Sequence, residues 1–178
     1  MNLSVLQNFN ESDLRLSPYP HIILIDALEK NLAYQLTEEF PLNEFSLDGN
    51  NLRKDISTCK IGNLSTIPPI WTDFINYHSS ELFYKEVLEA FKGAFTKEDF
   101  NNYYRYQTGI RGIDSHKPNH ILLDAQISIN TPVSVDSSVR KAHVDNTNKL
   151  FSGLFYLRKP NDNSSGGNLR LCEWDRNY

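Results

Sequence analysis

The sequence predicts an α+β fold, with helices in the first half and strands in the second. Three observations carry that expectation. Apolar residues recur at helical intervals as far as Phe91, apolar and polar residues alternate from Leu123 onward, and turn-forming clusters separate the later segments. Helices followed by strands point to an α+β architecture whose second element is a β-sandwich or barrel.

The apolar run His21 to Ile25 predicts a short strand. Asp26 stands three residues before Glu29, an Asp form of the capping box that opens a helix. Leu28, Leu32, Leu36 and Phe40 then follow at intervals of four with Ala33 beside them, one apolar stripe that Pro41 ends. Pro68 and Pro69 suit the first turn of a second helix running through Trp71, Phe74 and His78. Ser80 is the N-cap of a third, with Phe83, Tyr84, Val87, Leu88 and Phe91 on one side and Gly93 as its stop. Glu81 and Lys85 add an i,i+4 ion pair to it.

The later half reads differently. Leu123, Ala125, Ile127 and Ile129 alternate with Asp124, Gln126, Ser128 and Asn130, the period of a half-buried strand. Phe151, Gly153, Phe155 and Leu157 repeat the alternation within Leu150 to Arg158, and Leu154 and Tyr156 make that second strand apolar on both faces. Thr131-Pro132, Asn146-Thr147-Asn148 and Asn161 to Gly167 are the intervening turns, and Asn168 to Trp174 predicts a last strand.

Composition sets the outer limits. At 178 residues, 39% hydrophobic and 22% charged, the chain suits a single packed domain. No apolar run approaches the roughly 20 residues that span a bilayer, and Met1 to Ser17 does not have the pattern of a signal peptide. A net charge of −4 with scattered Lys and Arg offers no footprint for nucleic acid. Cys59 and Cys172 stand alone, which suits a reducing compartment and makes neither a disulfide framework nor a thiolate zinc site. The expectation is a cytoplasmic protein without membrane or nucleic-acid partners.

His143-Val144-Asp145 is the motif with most chemical content. On an extended segment, residues i and i+2 face the same way, so an imidazole nitrogen and a carboxylate oxygen can grip one cation. Those donors are two-thirds of the 2-His-1-carboxylate facial triad of non-haem iron oxygenases. By itself the tripeptide equally suits a surface turn in which Asp145 and Asn146 bond to local backbone.

The motif has a context. Asn146 and a turn follow it, then Phe151-Ser-Gly-Leu-Phe-Tyr-Leu157, a polar loop and Gly166-Gly167-Asn-Leu169-Arg-Leu171. This order resembles the iron(II)- and 2-oxoglutarate-dependent dioxygenases, most nearly their prolyl-hydroxylase-like branch. Tyr19-Pro20-His21 to Pro41 is similar to the opening of that group, and Leu122 to Pro132 to its first core strand. The resemblance implies a double-stranded β-helix (a cupin-like jelly roll) with an N-terminal helical layer. Residues 1–178 would then be one domain, with 1–100 as helical support and 101–178 as the first part of the β-helix core.

Carried residue by residue, the resemblance implies that His143 and Asp145 are the catalytic iron ligands. Tyr156 would hydrogen-bond 2-oxoglutarate, or serve as a core aromatic with a satisfied hydroxyl. Gln126 and Asn130 would line the co-substrate pocket, or lie on an exposed strand face. The implied reaction is hydroxylation of an unidentified small-molecule or peptidyl substrate by Fe(II), 2-oxoglutarate and O2, yielding succinate and CO2. No histidine follows His143, and Arg176 is too near the last strand to be the family's 2-oxoglutarate-binding arginine. The expectation is therefore a fragment whose remaining core strands, second histidine and arginine lie beyond Tyr178. His116 and His120 read as loop residues. Two alternatives accompany this reading: a catalytically silent jelly-roll binding module, and a different metal enzyme in a cupin-like barrel.

Overall fold

The computed structural model describes residues 1–133, 143, 145–146, 148–159, 161–163, 165 and 169–173. In chain order the elements are β1 (Leu14–Arg15), β2 (His21–Ile22), α1 (Lys30–Glu38), β3 (Arg53–Ser57), α2 (Thr58–Ile61), α3 (Pro69–His78), α4 (Glu81–Ala90), α5 (Lys97–Arg105), β4 (Gln107–Ile110), β5 (His120–Leu123) and β6 (Gln126–Asn130). The strands form three open two-stranded ribbons: β1 with β2 and β3 with β6, both antiparallel, and β4 with β5, parallel.

The helices follow their apolar stripes. Leu32 and Leu36 of α1 bury against Trp71, Phe74 and Ile75 of α3, and the indole N–H of Trp71 donates to the Leu36 carbonyl at 3.0 Å. Pro69 occupies the first turn of α3, where its missing N–H leaves no bond unmade. Ser80 caps α4 by accepting from the Phe83 N–H at 3.3 Å, and Lys85 pairs with Glu81 at 2.6 Å. The first helix starts later than expected. Glu29, not Asp26, is its N-cap, no side chain caps it, and Asp26 has φ 53, a left-handed turn that leads the chain into the helix.

Two apolar clusters result. The larger joins α1, α3, Ile56 of β3 and Ile127 of β6; the smaller joins Tyr84 and Leu88 of α4 to Leu123 of β5. The Tyr84 hydroxyl, inside the second, donates to the Tyr103 carbonyl at 2.9 Å, and burial pushes its pKa up to about 12.

The double-stranded β-helix is not what forms. The described residues make a small mixed α+β domain with open ribbons and no closed barrel. The expected first core strand is divided between two ribbons, β5 pairing with β4 and β6 with β3, because the chain changes partner at Asp124-Ala125. Phe151 to Lys159 takes no strand, and Leu154, Phe155 and Tyr156 are exposed rather than buried on two faces. Leu169 to Glu173 is likewise not a strand, while Asn168, Trp174 and the Gly166-Gly167 pair lie outside the described residues. Apolar alternation marks a segment that can pair; it does not supply the partner. Among the described residues, no helix is long and apolar enough to cross a membrane.

Candidate strand-docking edge

The expected iron site does not assemble. His143 Nε2 lies 3.6 Å from Asp145 Oδ1, with both side chains more than two-fifths exposed. Asp145 is engaged by its neighbours: Lys149 Nζ donates to it at 2.8 Å and Ser152 Oγ at 3.0 Å. The lysine and serine, then the lysine's charge, hold the Asp145 carboxyl below its ordinary value. Asn146 makes the local turn, accepting from the Asn148 N–H on its side chain and from the Lys149 N–H on its carbonyl. No group of three His, Cys, Asp or Glu side chains that could hold a metal ion exists among the described residues.

Tyr156 is 63% exposed, and two surface hollows elsewhere on the described residues are lined neither by it nor by His143 or Asp145. Those hollows, of about 340 and 390 Å³, lie beside Phe40–Glu44 and between the N-terminal segment and α4. The second is floored by Glu86, which accepts from Ser4 Oγ at 2.5 Å and from the Tyr77 hydroxyl. Burial first, then the Glu86 hydrogen bond, raise the Tyr77 pKa to about 12. With neither barrel nor ligand set among the described residues, the resemblance to the iron(II)/2-oxoglutarate dioxygenases is overturned. So are the dioxygenase activity, the Fe(II), 2-oxoglutarate and O2 requirement, and the silent jelly-roll alternative.

Gln126 and Asn130 lie at the two ends of β6, on one face of it. The register Arg53↔Asn130, Asp55↔Ser128 and Ser57↔Gln126 puts these six residues on one face of the β3–β6 ribbon, with Ile56 and Ile127 turned into the core. That face is a hydrogen-bonded network. Arg53 Nε meets Asp55 Oδ1 at 2.7 Å, Arg53 also reaches Ser128 Oγ at 3.2 Å, and Ser128 Oγ donates to Asp55 at 2.5 Å. Gln126 Nε2 donates to Asp124 Oδ2 at 2.7 Å, and Arg111 lies 3.5 Å from the same carboxylate.

The edges of the ribbons differ more than their faces. The Thr131 N–H donates to the Leu52 carbonyl at 2.8 Å, which sets the phase of the antiparallel ladder. The bonded pairs are therefore 54/129 and 56/127, and the N–H and C=O of Gln126, Ser128 and Asn130 point away from β3. In the parallel ribbon the Arg111 N–H donates to the Leu123 carbonyl at 2.9 Å. Leu123 and Ile121 therefore turn their backbone groups toward β4, and Leu122 between them turns its own outward. Both partners thus lie on one side of the 120–130 segment. Along the other side the backbone groups of Leu122, Asp124, Gln126, Ser128 and Asn130 find no partner among the described residues.

The outer edges of β4 and β3 are protected. Ile110 of β4 points both backbone groups outward, and Asp114 takes both, its Oδ2 accepting from the Ile110 N–H and its N–H donating to the Ile110 carbonyl at 2.8 Å each. The outer edge of β3 carries Arg53, Lys54 and Asp55, and charge is a usual guard of an exposed strand. The 122–130 edge carries one charge, Asp124, with Arg111 3.5 Å away. Sequence reading passes over Arg53 and Asp55 because β3 contains a single aliphatic residue, Ile56. The available signal is opposite charges at i and i+2, which share a strand face.

No family model, no curated protein and no solved structure matches this chain.

Proposed function

We propose that this protein is a polypeptide-binding module that takes an extended strand onto the 122–130 edge. One observation carries the reading: alternate backbone N–H and C=O groups from Leu122 to Asn130 face away from both paired strands and are unmet among the described residues. Strand addition supplies such groups with partners, and affinity then comes from main-chain hydrogen bonds while side chains select the sequence. Gln126 and Asn130 enter as two of the selecting side chains, beside Arg53, Asp55 and Ser128. A bound strand would present every second residue to that polar face.

The test is a displayed library of random dodecapeptides, with binders mapped by backbone amide shifts. Selected peptides should move the amides of Leu122, Gln126, Ser128 and Asn130. Ser128→Pro removes an outward N–H without breaking a bond to β3, since an edge position tolerates proline, and should abolish binding. Ser128→Ala keeps that N–H and should bind. Shifts confined to other surfaces, or undiminished binding to Ser128→Pro, would overturn the reading.

A further inference from the structure

We infer that the occupant of this edge is a second copy of the same chain, paired antiparallel about a two-fold axis at Ile127; this rests on the strand-docking reading above. The inference comes from testing the edge against itself. Two identical strands paired antiparallel repeat each contact by symmetry, so the register must match the edge to its own reverse. With the axis at Ile127, Gln126 faces Ser128 of the other copy and Asp124 faces Asn130, both hydrogen-bonding pairs without like charges opposed. At each end Leu122, exposed on this face, meets Pro132, an apolar pair. Moving the axis to Gln126 sets Leu122 against Asn130. Moving it to Ser128 sets Asp124 against Pro132. Only the Ile127 axis pairs apolar with apolar and polar with polar along the whole edge.

The backbone agrees with the side chains. The outward groups of residues 124, 126, 128 and 130 meet those of 130, 128, 126 and 124 as bonded pairs, and Pro132, lacking an N–H, ends the ladder where the match ends. The guarded β3 and β4 edges have no comparable role, which directs association to this one edge.

Sedimentation of the full chain across a concentration series tests this, with charge variants at Asn130. Asn130→Asp sets a carboxylate against Asp124 at two symmetric positions, while its own-chain neighbour across the ribbon, Arg53, keeps it compatible with the fold. The dimer should weaken roughly threefold or more. Asn130→Lys sets a cation against Asp124 and should tighten it. An isotope-filtered Hα–Hα contact between Ile127 of labelled and unlabelled copies should appear, because opposed residues of a non-bonded pair come closest. A chain monomeric at its highest soluble concentration, or a dimer indifferent to both variants, overturns the inference. If the monomer still binds displayed peptides through the 122–130 amides, the strand-docking reading survives alone; if it binds none, both fail.

Discussion

Thr58 holds Ala125 by both of its backbone groups: its hydroxyl donates to the Ala125 carbonyl at 2.8 Å and accepts from the Ala125 N–H at 2.9 Å. This residue sits where the 120–130 segment leaves β4 and joins β3, so one side chain replaces the strand partner that Ala125 lacks. The neighbouring Thr58 N–H donates to Asp124 Oδ1 at 3.3 Å, tying the same bend from the other residue. The open edge stays continuous because the bend is pinned on its opposite side.

Thr58→Val keeps the shape and removes the hydroxyl, leaving two backbone groups unsatisfied at a buried position. Each such group costs about 1–3 kcal/mol. Urea unfolding should report a loss of that order, with faster hydrogen exchange at Ala125. Thr58→Ser retains the hydroxyl and should recover most of the difference. Equal stability of Thr58→Val and the parent chain would remove the bend from the account.

His78 gives the fold a pH dependence of defined sign. Its Nδ1 pairs with the Phe74 carbonyl at 2.7 Å and its Nε2 takes the Val5 N–H at 3.3 Å, so both ring nitrogens are committed in the neutral tautomer. Burial depresses its pKa below 6.5, against smaller opposing contributions from the Phe74 carbonyl and the Glu86 carboxylate. Tyr77 and Glu86 are the titratable groups packed nearest. The unfolded chain therefore binds the proton more readily. Stability is full above 6.5 and is lost as pH falls from there to the lower folded value. Urea midpoints on either side of 6.5 should fall toward acid, and His78→Gln should flatten that slope whatever its baseline stability.

Lys149 is the main reason the Asp145 carboxyl titrates low. Lys149→Met should move the Asp145 titration, followed by carboxyl carbon shifts, back up toward its ordinary 3.8. Its stabilising contribution is present above that value and fades as pH falls through the folded pKa. An unchanged titration would show that Ser152 alone holds the carboxylate. The local contacts of Asp145 with Lys149 and Ser152 are those of a surface turn, the reading that His-x-Asp also allows.

The helices are legible in the sequence because a helix carries its own partner pattern: Leu32 and Leu36 name a face, and Ser80 names a start. Helix α5 is harder to see, since only Phe100, Tyr103 and Tyr104 break its polar run. Yet Thr96 is a readable N-cap, its hydroxyl accepting from the Asp99 N–H at 3.1 Å and donating to the Asp99 carboxylate at 2.7 Å. Strand β6 is legible in Ile127 and Ile129, whereas its partner β3, distant in the chain, is marked only by the opposite charges of Arg53 and Asp55. The same blindness to pairing makes Phe151 to Leu157 look like a strand. Within the site, Gln126 and Asn130 are visible as a polar face, but the direction of their backbone groups depends on a register that only the fold supplies.

Gly109 leaves room for the residue that guards the β4 edge. A Cβ at that position would lie 2.7 Å from Asp114 Cβ and 3.1 Å from its Oδ2, so Gly109→Ala must displace Asp114. Asp114 is the residue that occupies both outward groups of Ile110, and Lys117 steadies it at 2.6 Å. Displacing it frees the Ile110 N–H on the β4 edge, while the Ile110 carbonyl keeps the Ile113 N–H at 3.1 Å. The expected outcome is faster exchange at the Ile110 amide and a new concentration-dependent association. That association would run through β4, so Ser128→Pro should leave it intact while suppressing association through β6. Asp114→Ala should reproduce it without crowding Gly109, because the carboxylate that accepts from the Ile110 N–H is gone while the backbone bond to the Ile110 carbonyl stays. If either variant behaves as the parent chain does, the Asp114 cap is not what keeps β4 unpaired, and the contrast between guarded and open edges loses its support.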